Sequence, residues 1–277
     1  MNEYYDELYR HGDPVIAAGW RHRLEQMLRY EVALDALAFS PETSLLDVGC
    51  GPGNLYAYLE ATGRVLHYTG IDRLSLAVAH ARARFPNADF MATDVFSPSL
   101  DQQRFDAVLA VGTLVSGVSA PDDAARIQRM TRLVERGFAL SQRVFCLVVL
   151  NEEVVESRAA LRSEPALLGA FTHELEALGL KLATNYAVRT DFLQTDLALY
   201  LWQDEAPAPS WLNEAPFVAH ERVLNSLWGR EATPLERAWL WLEAGAWERA
   251  AEILDGPCAP TGEQADLFRA RLAHGRR

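Results

Sequence analysis

The chain has few cysteines, and they lie too far apart to form a recognisable cross-link or metal site. They are Cys50, Cys146 and Cys258, with no C-x-x-C pair in the 277 residues. This spacing argues against a disulfide framework and against a zinc knuckle. We interpret each cysteine as a small packed or incidental residue rather than as a reactive thiol.

Long apolar runs and excess positive charge are also lacking. No run reaches membrane-spanning length, and the first residues, MNEYYDELYR, are polar and acidic, so we expect a soluble cytoplasmic protein without membrane contact. The 26 lysines and arginines face 38 aspartates and glutamates, which gives a formal net charge of -12. Because clustered cations are what bind phosphate backbones, we expect no nucleic-acid partner. No set of histidines, cysteines and carboxylates has metal-ligand spacing, so we predict no metal site.

Apolar strands alternate with amphipathic helices from about residue 45 to residue 180. This alternation predicts an α/β fold, a Rossmann-like, doubly wound, mostly parallel seven-stranded sheet with helices on both faces. The strands predicted to be parallel are 44–48, 65–71, 88–92, 105–111 and 143–150. The helices predicted between and after them are 54–61, 74–85, 122–135 and 165–178. Two further extended segments, 181–188 and 196–202, predict an antiparallel pair and so an antiparallel strand at the sheet edge.

Helical segments flank the predicted sheet on both sides. Residues 17–37 have helical periodicity, and the prolines of DEAPAPSW, residues 204–211, mark a boundary. The sequence therefore predicts an N-terminal helical cover (1–39), a cofactor-binding domain (40–204) and a small C-terminal helical appendage (205–277).

Residues 233–256 resemble one helix-turn-helix unit of a tetratricopeptide repeat, with Gly245 at the turn. A single unit cannot bury both of its faces. We therefore expect the appendage to dock on the main domain, on another copy of the chain or on a protein partner.

The stretch LLDVGCGPGN, residues 45–54, runs from a strand into a turn that holds Gly49, Gly51 and Gly53. Such a turn exposes amides at a helix N-terminus, where anionic groups bind. The spacing is G-x-G-x-G followed by Asn54, rather than the dinucleotide pattern G-x-G-x-x-G, and no Gly-Lys-Ser/Thr of a P-loop follows. A phosphate ligand is therefore disfavoured.

This stretch resembles motif I of the class I S-adenosylmethionine-dependent methyltransferases, an acidic residue followed by a glycine-rich turn. The resemblance implies that S-adenosylmethionine is the cofactor. In such a site the glycines let the backbone approach the ligand, Asp47 places negative charge near the ammonium group, and amides around the turn are available to the methionine carboxylate. The residues that the resemblance assigns to this part of the cofactor are Asp47, Gly49, Cys50, Gly51, Gly53 and Asn54.

Three later strand ends extend the resemblance. Asp72, followed by Arg73, ends the second strand, where the family places its ribose-binding acid. Asp94 follows the third strand, where a carboxylate accepts from the adenine amino group and the amide of Val95 is available to a ring nitrogen. Val111 and Gly112 end the fourth strand, where the transferable methyl group faces outward. Open α/β sheets bind ligands at this carboxyl edge.

The segment after the fourth strand, VGTLVS, lacks the Asn/Asp-Pro-Pro-aromatic motif of enzymes that methylate base amines. We therefore predict methyl transfer to an oxygen or nitrogen atom of a small-molecule acceptor by in-line displacement, with no catalytic residue assigned. Thr113 and Ser116 are expected to satisfy backbone groups rather than to contact the acceptor. The acceptor is expected between the N-terminal cover and later loops that include Asn151 and Glu152, with TDFLQTD, residues 190–196, on one side.

Aromatic residues and histidines of the N-terminal segment are further candidates. Trp20 is expected to pack on the sheet, whereas Tyr4, Tyr5 and Tyr9 would either pack or cover the sulfonium by cation–π attraction. The candidate bases His11 and His22 are expected to be solvated or hydrogen-bonded rather than catalytic.

Two other functions stay open at this point. One is a cofactor-binding assembly or regulatory protein of methyltransferase fold that acts through its C-terminal helices. The other is a nicotinamide oxidoreductase, which Asn54 and the absence of a Tyr-x-x-x-Lys pattern disfavour.

Overall fold

The computed structural model describes residues 13, 15, 20, 22–37, 39–113, 123–151, 169–204 and 217–275. Its strands are β1 Ser44–Val48, β2 His67–Asp72, β3 Asp89–Ala92, β4 Phe105–Val111, β5 Ser141–Asn151, β6 Gly169–Ala170, β7 Asn185–Arg189 and β8 Asp196–Trp202. Its helices are α1 Arg23–Leu34, α2 Asn54–Ala61, α3 Ser75–Arg84, α4 Asp123–Leu140, α5 Thr172–Leu182, α6 Val218–Asn225, α7 Leu227–Arg230, α8 Pro234–Glu243, α9 Trp247–Leu254 and α10 Glu263–Gly275.

The strands form one sheet in the order β3-β2-β1-β4-β5-β8-β7, and the two residues of β6 pair with β5 outside this path. Strands β1 to β5 are parallel, whereas β8 runs antiparallel to both of its neighbours, β5 and β7. The predicted seven-stranded, mostly parallel sheet with an antiparallel pair at one edge is confirmed. Strand β1 has β2 on one side and β4 on the other, so the chain order reverses there. Ligands bind at such a switch point in open α/β sheets.

Both faces of the sheet are buried, which explains why the strands read as nearly continuous apolar runs. Leu45 and Cys146 lie on the face that packs against α1, α2, α3 and the C-terminal helices. Leu46 and Phe145 lie on the opposite face, against α4 and α5. Cys50 is also buried and Cys258 is exposed, and all three cysteines are free.

The N-terminal helix is shorter than its periodicity predicts. It begins at Arg23 rather than at residue 17, because the side chain of His22 caps it by accepting a hydrogen bond from the Leu24 amide at 3.2 Å. Trp20 lies outside the helix, and residues 17–19 and 21 are not among those described.

The prediction for residues 165–178 was wrong in its placement. Gly169 and Ala170 pair with the end of β5, and α5 begins only after Phe171, whose amide donates to Glu174 at 3.2 Å. Residues 165–168 lie outside the described ranges. Because α5 continues to Leu182, strand β7 begins at residue 185 rather than at the predicted 181.

Helices α8 and α9 form the predicted helix-turn-helix, with Gly245 in the left-handed region at φ +73°. Side chains of α6, α8, α9 and α10 belong to the same apolar cluster as α1 and the sheet. Arg222 of α6 forms ion pairs with Glu31 and Asp35 at the end of α1. The C-terminal helices thus dock on the sheet through α1, while the division into three domains stays a prediction. Within the described ranges, no helix has the length and apolarity needed to cross a membrane.

Candidate cofactor site

The register of the parallel strands brings the predicted carboxylates to one edge of the sheet. Asp47 pairs with Gly70 on β2, and Asp72, the last residue of β2, pairs with Ala92 on β3. Asp94 follows β3 by two residues. The three acids therefore follow one another along the carboxyl edge beside the switch point.

The turn between β1 and α2 requires its glycines. Gly49, Gly51 and Gly53 have φ values of +80°, +53° and +80°, which are strained for other residues. A Cβ on Gly49 would lie 3.0 Å from a methyl carbon of Thr113, and one on Gly53 would lie 3.0 Å from Phe85. The turn is therefore fixed both by its backbone conformation and by its close packing.

The amides of this turn already have acceptors within the protein. Those of Gly49 and Cys50 donate to the Ile71 carbonyl at 2.8 and 3.0 Å, and that of Gly53 donates to the Cys50 carbonyl at 3.1 Å. The amide of Gly51 donates to Asp72 Oδ2 at 3.0 Å. These bonds count against the expectation that the turn amides bind the methionine carboxylate.

Asp47 is a buried carboxylate, and its side chain accepts a hydrogen bond from the Tyr68 hydroxyl at 2.6 Å. Burial raises the pKa of Asp47 to about 7; the charge of Asp72 adds to the rise, and the Tyr68 hydrogen bond opposes it. A cation placed beside Asp47 would favour its ionised form. Sequence reasoning did not single out Tyr68, because an aromatic residue within a strand has the pattern of a packing residue.

Asp72 braces the glycine turn. Besides the Gly51 amide, it accepts a hydrogen bond from the Leu74 amide at 2.8 Å through Oδ1. Burial raises the pKa of Asp72, and these amide bonds oppose the rise. Each carboxylate oxygen keeps a second acceptor site, so Asp72 can also accept from hydroxyl groups of a ligand.

Asp94 and Arg73 form an ion pair across the ends of β3 and β2, with Arg73 Nε 3.1 Å from Asp94 Oδ2. Asp94 Oδ1 also accepts from the Phe96 amide at 3.0 Å. Val95 is buried, and its carbonyl accepts from Arg136 Nε at 3.0 Å. The pair lies at the surface, where such bridges contribute about 0–1 kcal/mol, so a ligand can displace it at low cost.

The end of β4 carries a close packing contact. Gly112, at φ +70°, follows Val111, and a Cβ on it would lie 2.5 Å from the Trp20 ring. The Thr113 hydroxyl donates to the Val48 carbonyl at 2.8 Å, which confirms its expected backbone role. The ring of Trp20 also lies 4.6 Å from the guanidinium carbon of Arg29, so the predicted packing role of Trp20 is confirmed.

Helix α1 contributes polar side chains that sequence reasoning missed. Gln26 accepts a hydrogen bond from the Asn54 side chain at 3.4 Å, and Arg84 donates to the same side chain at 2.8 Å. Arg29 is buried and donates to both carboxylate oxygens of Asp196, at 2.6 and 2.8 Å. Polar residues on an amphipathic helix predict a solvated face, so no local signal pointed to these contacts.

Two of the remaining candidates, His22 and Asn151, make contacts of their own within the described residues. His22 caps α1 and its ring lies 4.4 Å from that of Trp239, and burial lowers its pKa, which fits a structural role. The amide of Asn151 donates to the Thr195 carbonyl at 2.8 Å. The other candidates lie outside the described residues; they are Tyr4, Tyr5, Tyr9, His11, Ser116 and Glu152. Where the structure is described, no group of three or more histidines, cysteines, aspartates and glutamates could hold a metal ion.

Residues 45–137 match a family model described as a methyltransferase domain. This part of the chain is therefore similar to a methyltransferase domain. The matched region runs from β1 into α4, so it includes the glycine turn and all three strand-end carboxylates. The resemblance to the S-adenosylmethionine-dependent family is thereby confirmed, whereas the contacts of individual residues with the cofactor stay predictions.

Two curated bacterial proteins match part of this chain. The uncharacterized methyltransferase Mb0092 of Mycobacterium bovis is 30% identical over 41% of this chain and 56% of its own length. Trans-aconitate 2-methyltransferase of Escherichia coli is 29% identical over 41% of this chain and 41% of its own length. The chain therefore spans about half the length of these curated relatives.

A solved structure shares the fold at low sequence identity. The plantazolicin methyltransferase BpumL, in complex with a triazolic desmethylPZN analog and SAH, matches with a TM-score of 0.51 and 18% identity, over 74% of this chain and all of that chain. At this identity the likeness concerns the fold alone.

Proposed function

We propose that the chain transfers a methyl group from S-adenosylmethionine to an oxygen or nitrogen atom of a small-molecule acceptor by in-line displacement. The observation that carries the proposal is the row of Asp47, Asp72 and Asp94 along the carboxyl edge, beside a glycine turn of methyltransferase type. S-adenosylmethionine carries positive charge on its sulfonium and ammonium groups. A row of acids at a sheet edge is complementary to this charge, whereas it would repel a dinucleotide pyrophosphate.

Each acid has a proposed role. Asp72 accepts from the ribose hydroxyls through the acceptor sites that its backbone bonds leave open. Asp94 accepts from the adenine amino group once it releases Arg73, and the Val95 amide donates to the ring. Asp47 faces the ammonium group, while Val111 and Gly112 lie beside the methyl group.

The reaction depends on the alignment of the acceptor with the methyl group and on the exclusion of water more than on acid or base side chains. When bound, S-adenosylmethionine would supply a methyl carbon to which a lone pair of the acceptor forms a bond while the carbon–sulfur bond breaks. The electrons of that bond would stay on sulfur as a thioether, and the proton of a hydroxyl or amine acceptor would pass to solvent. The chain contributes by aligning the two partners and excluding water, for which Trp20 over Gly112 supplies an apolar cover. Because the spent cofactor has lost one positive charge, Asp47 holds it less strongly than the donor, which favours release of the product.

Several observations support a small acceptor. The segment VGTLVS lacks the motif for base amines, and the net charge of -12 disfavours polyanions. One relative is named for trans-aconitate, a small molecule.

Thermal unfolding with added ligands tests the proposal. S-adenosylmethionine or its demethylated product, at 100 times its dissociation constant, should stabilise the ligand-stripped chain by about 2.7 kcal/mol, and NAD should not. Turnover on a panel of small acceptors, read by mass spectrometry as the gain of one CH2 unit, then separates an enzyme from the assembly protein. Binding without turnover would favour the assembly protein, and stabilisation by NAD alone would contradict the cofactor assignment.

A further inference from the structure

Two donor groups on α1 are buried without an acceptor. They are Gln26 Nε2 and Arg29 Nη1, and their residues are only 3% and 2% exposed. Burial of a donor without an acceptor destabilises a folded chain, so a native structure that retains two of them on one helix needs a reason. A ligand oxygen that arrives on binding supplies such a reason.

The contacts of Gln26 and Arg29 place both donors at the cofactor site. Gln26 and Arg29 are three residues apart on α1 and so lie on the same side of the helix. Gln26 Oε1 is bonded to the side chain of Asn54, the first residue of α2 after the glycine turn. Arg29 lies under Trp20, whose ring covers Gly112 at the end of β4. The two donors therefore lie between the glycine turn and the end of β4.

The orientation of Arg29 is fixed by two carboxylates. Its Nε and Nη2 bind Asp196 in a bidentate manner, and Nη2 also donates to Glu25 at 2.6 Å. The Thr195 hydroxyl donates to Asp196 at 2.7 Å and holds that carboxylate in turn. Of the three guanidinium nitrogens only Nη1, an NH2 group with two N–H donors, has no acceptor, so this arrangement leaves one side of the cation available to a ligand.

The amino-acid end of the cofactor needs donors that the turn does not offer. The amides of Gly49, Cys50, Gly51 and Gly53 are all engaged within the protein. Asp47 attracts the ammonium group and repels the carboxylate. Repulsion from Asp47 therefore favours a position for the carboxylate on the side of the site that faces away from Asp47.

We propose that Gln26 Nε2 and Arg29 Nη1 bind the methionine carboxylate of the cofactor. This inference rests on the proposed function, and it makes α1 part of the cofactor site rather than only a cover over the sheet. Glu25 and Asp196 are positioning residues that act through Arg29.

Calorimetry with a matched pair of ligands tests this assignment. S-adenosylhomocysteine carries the carboxylate, whereas decarboxylated S-adenosylhomocysteine keeps the ammonium group and lacks only the carboxylate. The wild-type chain should bind the first at least about tenfold more tightly, because hydrogen bonds to a charged group are lost with the second. Gln26→Leu should lower the affinity for S-adenosylhomocysteine by about tenfold and leave the affinity for the decarboxylated ligand unchanged.

Two further variants keep the test decisive. Gln128→Leu makes the same change at an exposed position of α4 and should change neither affinity. Arg29→Lys keeps a positive charge beside Asp196 but removes Nη1, and it should repeat the selective loss, with folding checked by circular dichroism because Arg29 is buried.

The outcomes separate this inference from the proposed function. Folded Gln26→Leu and Arg29→Lys chains that bind S-adenosylhomocysteine as the wild type does would overturn the inference. Equal wild-type affinity for the two ligands would overturn it too, while the proposed function would stand. A wild-type chain that binds neither ligand would remove the proposed function itself.

Discussion

At the scale of single residues, Asp47 is a buried carboxylate at the proposed cofactor site. It is buried with one hydrogen bond from Tyr68, and its pKa is raised to about 7. The unfolded chain gives the same carboxyl a pKa of about 3.9. Between these values the folded chain binds a proton that the unfolded chain does not. The contribution of Asp47 to the free energy of unfolding is therefore fully present below about pH 4, and it is lost as the pH rises through 7.

Asp47→Asn should therefore stabilise the ligand-free chain at pH 8, by ~1–3 kcal/mol, because it removes a buried charge. The gain should shrink towards pH 5, where Asp47 is already protonated. Thermal unfolding of both chains across this range measures it, and a difference that does not depend on pH would contradict the account. The same substitution should lower the affinity for S-adenosylmethionine more than the affinity for the thioether product, because only the donor carries a positive charge on sulfur.

Gly112 offers a second test at this scale. Gly112→Ala places a methyl group 2.5 Å from the Trp20 ring and also strains a backbone at φ +70°. Gly63→Ala is the matched control, since Gly63 has φ +68° and no atom within 4 Å of its added Cβ. We expect the control to lose about 1 kcal/mol of unfolding free energy and Gly112→Ala to lose clearly more. Equal losses in chemical denaturation would mean that Trp20 does not pack on Gly112.

The sequence predicted some of these residues and not others, for a physical reason. Asp72 and Asp94 could be found because a strand pattern locates its own carboxyl end, and those ends share an edge in a parallel sheet. Tyr68, Gln26 and Arg29 could not, because their roles depend on partners distant in the chain that local periodicity does not report.

At the scale of helices and strands, the sheet followed from the sequence because each strand is an apolar segment between polar turns. The errors lie at helix ends. Both α1 and α5 begin later than predicted, α1 after the cap residue His22 and α5 where Glu174 accepts from the Phe171 amide, through single side-chain hydrogen bonds to the backbone. Such caps add only about 1 kcal/mol and leave the hydrophobic periodicity unchanged, so the pattern cannot locate them.

The docking of the C-terminal helices gives a prediction at this scale. Trp241 of α8 is 5% exposed, and its ring lies 5.3 Å from His220 and 5.9 Å from Phe217. Trp241→Ala should cost about 3–5 kcal/mol, and the whole chain should unfold in one lowered transition because these helices share a core with the sheet. Leu267→Ala, at a side chain 63% exposed, should have little effect.

Denaturant unfolding followed by near-ultraviolet circular dichroism and by loss of cofactor binding measures the effect of Trp241→Ala. Two separate transitions, with cofactor binding lost at the wild-type midpoint, would show instead that the C-terminal helices fold as an independent unit.

At the scale of the whole molecule, charge and topology act together. The strand order places β1 at the switch point, the glycine turn follows β1 there, and Asp47, Asp72 and Asp94 lie along this edge. The C-terminal helices and α1 cover one face of the sheet and are held together by shared apolar contacts and by the ion pairs of Arg222. We propose that this edge binds S-adenosylmethionine through its three acids.

The most direct test is the heat of binding of S-adenosylhomocysteine to ligand-stripped chains that differ at one acid. Asp72→Ala removes the proposed ribose contact at the carboxyl edge, whereas Asp89→Ala removes an exposed acid at the opposite, amino end of β3. We predict that the wild type and Asp89→Ala bind with the same affinity and that Asp72→Ala gives no measurable heat. Retention of wild-type binding by Asp72→Ala, or no heat from the wild type, would contradict the account.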